Sequence, residues 1–139
     1  MAKRDLYHNI TEGTNMITVA SRVAAGSIAI AAATTLDTYG YHGVVIEAIV
    51  GTVTDGTHVL ALYESDTDVT GNYTAVAATD MIGAFGANLA TGVNIKVGYI
   101  GAKRYLRVID TITGTTTGGV YGVVGILGYP MHKPLTATN

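Results

Sequence analysis

Residues 43–65 read GVVIEAIVGTVTDGTHVLALYES. Two β-rich runs, Gly43–Val50 and His58–Ser65, flank Asp55-Gly56, a dipeptide that favours a tight hairpin turn. In the first run Val44, Ile46, Ala48 and Val50 alternate with Val45, Glu47 and Ile49. Side chains two residues apart share one face of a strand. The wholly apolar set is therefore the predicted core face. In the second run Val59, Ala61 and Tyr63 alternate with His58, Leu60, Leu62 and Glu64, and the pattern leaves the inward set open.

The same reading extends outward. Met16–Ala20 and Ser27–Ala33 are short strand candidates upstream; the second opposes an Ile alternation to the helix preference of Ala. Downstream come Tyr73–Ala77, Val93–Ile100, Lys103–Thr113 and Val120–Tyr129. Asp66–Asn72 and Gly114–Gly119 have turn composition. These strands, broken by Gly, Asp and Thr and with no helix-length stretch, predict an all-β protein. The expected architecture is an antiparallel β-sandwich, a jelly roll of about eight strands. An immunoglobulin-like sandwich is the rival, although its Cys…Trp…Cys marker is absent. The expected organisation is an extended arm over residues 1–15, a sandwich over 16–129 and a tail over 130–139. Pro130 and Pro134 mark that tail, because proline cannot continue a sheet interior.

Composition narrows the function. With 139 residues the chain is one domain's worth of sequence, and it has no cysteine. Disulfides, thiolate metal sites and cysteine nucleophiles are excluded. Charged residues make up 13%, about half the usual ~25%, while Gly numbers 18 and Thr 21. Much of the surface is then Thr, Ser, Gly and Ala, which desolvates easily and suits contact with other chains. The net charge of −2 carries no polyanion-binding expectation. No apolar signal region follows Met1–Arg4, and Val120–Tyr129 is about half of the ~20 residues a membrane helix needs. Neither a membrane nor a nucleic-acid partner is expected.

Chemistry-bearing residues are sparse. His8, His42, His58 and His132 form no ligand-spaced pair. Asp66-Thr67-Asp68-Val69-Thr70-Gly71 imitates the start of a calcium loop, but Ala77 stands where a bidentate Glu is required. Lys96, Lys103, Arg104 and Arg107, interleaved with Tyr99 and Tyr105, form the one basic concentration, and they do not share a strand face. Glu47 is the one acid among apolar neighbours in its strand. Were it buried, Arg104 or Arg107 would be its expected partner; a solvent-facing Glu47 is the preferred reading. Phosphate-binding, zinc-protease and nucleophile-elbow motifs are absent. No enzyme activity and no cofactor or metal is expected.

Three stretches carry a resemblance. They are Tyr41–Asp66 (YHGVVIEAIVGTVTDGTHVLALYESD), Val97–Val108 (VGYIGAKRYLRV) and Tyr121–Pro134 (YGVVGILGYPMHKP). Together they resemble the capsid cement, or decoration, proteins of tailed bacteriophages, jelly-roll proteins of the kind found on the podovirus infecting Bordetella. The resemblance implies a virion structural protein made in the host bacterial cytoplasm. It would bind the exterior of an icosahedral head and cement neighbouring major capsid protein subunits of the HK97-type fold, often as a homodimer. On that reading the interface candidates are Lys3, Arg4 and Tyr7 in the arm, Arg104 and Arg107 in a strand, and Tyr129, Met131, His132 and Lys133 at the tail. A tail or connector component remains an alternative. So does a carbohydrate-binding adhesin module, which Tyr39, Tyr41, Tyr63 or Tyr73 gathered on one surface would favour.

Overall fold

The computed structural model describes residues 10–23 and 26–131. Among these residues ten strands are present: β1 Ile10–Arg22, β2 Gly26–Ser27, β3 Leu36–Asp37, β4 Tyr41–Val53, β5 Thr57–Ser65, β6 Thr74–Ala75, β7 Met81–Ile82, β8 Ile95–Tyr99, β9 Tyr105–Thr113 and β10 Gly119–Pro130. Single 3-10 turns at Ile30–Ala32, Thr70–Asn72 and Ala78–Asp80 complete the regular structure. One sheet has the order β1-β10-β4-β8-β7. The other has β2-β9-β5-β6, with β3 also on β9. Every ladder is antiparallel.

The pairing is nested. β1 meets β10, β2 and β3 meet β9, β4 meets β8, and β5 meets β6. A long hairpin rolled over itself gives this pattern, so the sandwich is a jelly roll. The count exceeds the expected eight because β2 and β3 share one interrupted position beside β9 and β7 adds a short edge to β8.

The apolar face predicted on β4 is the core face: Ile46 and Ala48 are fully buried, and Val44 and Val50 nearly so. On β5 the inward set is His58, Leu60, Leu62 and Glu64. Across the interior, Leu106 and Val108 of β9 meet Val97 of β8 and Tyr121, Val123 and Leu127 of β10 in one cluster. Gly125 lets Leu36 and Met16 close over β10, since a Cβ there would lie 2.7 Å from Leu36 Cδ2 and 3.0 Å from the Met16 sulfur.

Asp55-Gly56 does not close a hairpin. β4 and β5 lie in different sheets, so this turn is a corner between layers. The reason is in the Asp55 carboxylate, which accepts backbone N–H groups of Thr116, Thr117 and Gly118. The Thr54 N–H also donates to the Gly118 carbonyl. Two corners that carry the chain between sheets, β4–β5 and β9–β10, are thus clamped together. Those N–H donors hold the Asp55 carboxyl below the usual carboxylate range.

Three further expectations need correction. Ser27–Ala33 is not one strand; after Ser27 the chain turns at Ile30–Ala32. Residues 10–15, expected within the arm, belong to β1, where Ile10 faces Gly128 and Asn15 faces Val124. Pro130 closes β10, opposite Tyr41, and does not start the tail outside the sheet.

Candidate functional site

One end of the sandwich gathers most of its ionic and exposed aromatic chemistry. It is built by the β3–β4 turn, the loop after β5, the β8–β9 turn and the end of β10. Asp37 ends β3 and faces Tyr105 at the start of β9. Its carboxylate receives Arg104 Nε at 2.8 Å and Nη2 at 2.7 Å, a bidentate fork. The Arg104 guanidinium is stacked between two rings, 4.8 Å from the Tyr39 centroid and 4.7 Å from that of Tyr105. Planar stacking together with a forked pair is a task for arginine and not for lysine. Tyr39 is 74% exposed.

Next to it, Lys103 pairs with Asp66. Arg107 is 7% exposed and has a different role. It donates to Asp68 at 2.8 Å, to the Thr35 hydroxyl at 2.8 Å and to the Ile30 carbonyl, and it lies 4.5 Å from the Tyr73 ring centroid. Arg107 therefore pins the 30–35 segment and the loop after β5 onto β9. It is a structural anchor and not an exposed contact residue, and this corrects its place among the interface candidates.

The calcium-like spacing is accounted for in the same way. Asp66 faces Lys103, while Asp68 accepts from Thr35, Tyr73 and Arg107. Among the described residues no cluster of three metal-ligating side chains occurs. The Arg104 fork holds the Asp37 carboxyl below its ordinary range, and the Tyr73 hydroxyl does the same for Asp68. Depressed carboxylates stabilise a fold above pH ~4 and lose that effect as pH falls through the folded value.

The third component is the end of β10. Tyr129 is 62% exposed with φ 53°, a conformation that a bulky residue adopts only at a cost. Its ring lies over Gly43, where a Cβ would come within 2.8 Å of Tyr129 Cδ2. Met131 is 56% exposed, and its N–H donates to the Gly40 carbonyl at 2.8 Å. The residue after Tyr39 is thereby tied to the end of β10. Ile10, the first described residue, faces Gly128.

Of the interface candidates, Arg104, Tyr129 and Met131 are brought to this end. Lys3, Arg4, Tyr7, His132 and Lys133 lie outside the described residues. Tyr39 and Tyr105, which are not among the interface candidates read from the sequence, also lie at this end. The available signal was Tyr39-Gly40-Tyr41, an aromatic pair around a turn glycine next to a strand. The tyrosines that would favour an adhesin do not form a platform: Tyr73 is buried, Tyr41 and Tyr63 are half-buried, and Tyr39 is stacked on Arg104.

The acid expected to be notable, Glu47, is half-exposed and faces Lys96 across the ladder. Among the described residues the buried acids are Glu64 and Asp110. Glu64 accepts from the Tyr99 hydroxyl at 2.6 Å, and burial followed by this bond pushes the Tyr99 phenol above its usual range.

No known family model matches the chain, and no curated protein matches it. Among solved structures it is similar to the SPBc2 prophage-derived protein YomS, with a TM-score of 0.48 and 14% identity. The likeness covers 85% of this chain and 92% of that one. No helix among the described residues is long and apolar enough to cross a membrane.

Proposed function

We propose that this chain is a virion structural protein that attaches to the outer surface of an icosahedral phage head and ties neighbouring shell subunits together. The observation that carries the reading is the convergence at one end of the sandwich. Exposed Tyr39, Tyr129 and Met131 gather there, held by the Met131 N–H bond to the Gly40 carbonyl and the stacking of Tyr39 on Arg104. Aromatic, Met and Arg side chains are enriched in buried interface centres. A strained Tyr129 fits display toward a partner better than it fits stability. Few surface charges reduce the desolvation cost of a large contact, and many weak symmetric contacts add through avidity.

Self-pairing belongs to the same reading, through the outer face of the β1-β10-β4-β8-β7 sheet. An antiparallel sheet with one face on the core normally turns polar residues to water. Here Val19, Ile49, Ile82 and Val120 are exposed, and Val124 and Ile126 are half-buried among them. The only charges among these central positions are Glu47 and Lys96, opposite each other on β4 and β8. One acid beside one base is self-complementary about a two-fold axis. Strand spacing and length give a flat face on the order of 600 Å², close to the ~800 Å² per partner of a standard interface. The occupant proposed is a second copy of this chain.

The attachment reading is tested with heads assembled from the major capsid protein encoded in the same genome. Tyr129→Gly removes the ring and suits the positive φ, so its unfolding midpoint should equal or exceed that of the wild type. Head binding should fall at least tenfold, and further in Tyr129→Gly combined with Tyr39→Ala. Unchanged binding by both would overturn the assignment of this end as the attachment surface.

A further inference from the structure

His58 of β5, Asp110 of β9 and Tyr121 of β10 meet where the two sheets face each other, and all three are fully buried. His58 Nε2 lies 3.0 Å from the Asp55 carbonyl oxygen. A carbonyl only accepts, so Nε2 carries a hydrogen. His58 Nδ1 lies 2.9 Å from the Tyr121 hydroxyl oxygen, which in turn lies 3.0 and 2.9 Å from the two Asp110 carboxyl oxygens. The phenol has one hydrogen for these two contacts. The second hydrogen must come from His58 Nδ1 or from Asp110.

The count is therefore fixed by geometry. The cluster holds three hydrogens, either as imidazolium, phenol and carboxylate or as imidazole, phenol and carboxylic acid. Both forms are neutral overall. With only two, one contact would set lone pair against lone pair inside the core, at the cost of an unsatisfied buried group. In the unfolded chain, ordinary His, Tyr and Asp side chains together supply only two hydrogens above pH ~6.5 and below pH ~10.

We propose that His58, Tyr121 and Asp110 form a buried proton-binding site that locks the two sheets together and loosens them as the proton leaves. Tyr121 belongs to one sheet, and His58 and Asp110 belong to the other, so the proton completes a bond between layers. The charged groups facing the site are few. From β1, the Arg22 guanidinium acts on Asp110 and Tyr121. From the β4–β5 corner, the Asp55 carboxylate acts on His58. Of these, Arg22 favours the ionised form of the Asp110 carboxyl. The 83–94 segment contributes only neutral partners, Asn88 Oδ1 and the Leu89 N–H on the His58 backbone. Burial raises the Asp110 carboxyl, with Tyr121, Arg22 and His58 opposing it in that order. Arg22 and Asp110 also line a cleft of about 330 Å³ with Ser21 and Ser27, which brings solvent to the edge of the site.

The folded chain holds one proton more than the unfolded chain above pH ~6.5, so stability falls as pH rises. The unfolding constant should grow about tenfold per pH unit between pH 7 and the pH at which the folded cluster itself deprotonates. Between pH ~4 and 6.5 the unfolded His holds the same proton and this slope vanishes. Asp110→Asn is the informative variant. Its amide can donate to the Tyr121 oxygen while the phenol donates to His58, so the bonds persist without a titrating proton. Urea unfolding across pH 5–9 should show the alkaline slope in the wild type and its loss in Asp110→Asn; equal slopes in the two would overturn the proposal. A second measurement stands if that variant does not fold. Calorimetric unfolding of the wild type at pH 8, in buffers of low and high ionisation heat, should count about one proton released. A count of zero, or proton uptake, would overturn it.

Discussion

Arg107→Ala should lower the stability of the fold by about 3 kcal/mol, a drop of roughly 10 °C in unfolding midpoint for a domain of this size. The variant loses charge-assisted bonds to Asp68, Thr35 and Ile30 and the stacking over Tyr73 together. Those bonds are what hold the 30–35 segment against β9. Arg107→Lys should recover little, since an ammonium cannot reproduce a planar fork spread over three acceptors. Thermal unfolding followed by circular dichroism reads both variants. An unchanged midpoint with weakened head binding would return Arg107 to the contact surface, where its position in the sequence had put it.

Ile49→Asp should weaken self-association at least a hundredfold and leave the unfolding midpoint within a few degrees. Ile49 is 46% exposed on the outer face of β4, so a charge there meets water in the monomer. In the paired state it would be desolvated among aliphatic side chains and near Glu47, one position pair along the same face. A charge swap gives an independent reading. Glu47→Lys should disrupt pairing through like charges, and Glu47→Lys with Lys96→Glu should restore it. Light scattering across a concentration series reports the mass. A wild-type chain that stays at 14.4 kDa at all concentrations would contradict the paired face.

The sheet layers were legible because their signal is local. Alternation along Val44–Val50 places four apolar side chains on one face whatever the strand's neighbours are, and those four are buried. The Asp55-Gly56 turn was misread for the complementary reason. A turn dipeptide reports a tight reversal, while the choice between a hairpin and a corner is made by the 115–118 loop, some sixty residues away, that supplies the Asp55 carboxylate with its donors. Residues 10–15 looked like an arm because they lack alternation; their partner strand β10 holds them in place.

The site was legible in part. Arg104 stood out as a charge beside aromatics, but its second ring, Tyr39, is distant in sequence and arrives through the β3–β4 turn. Arg107 carries the same sequence signal as Arg104, and only the 30–35 segment packed over it distinguishes an anchor from a contact residue. The buried cluster was not legible at all. His58 alternates with Leu60 and Leu62 in a run whose pattern leaves the inward set open, and the meeting with Asp110 and Tyr121 depends on sheet-to-sheet facing that no spacing encodes.

The proposed tiling of a phage head sets the number of copies each particle should carry. The direct measurement is its copy number in purified virions that carry the gene, by quantitative mass spectrometry against the major capsid protein. A ratio near one, or a simple fraction of it, is the expected result. A handful of copies per particle, or none, would contradict it.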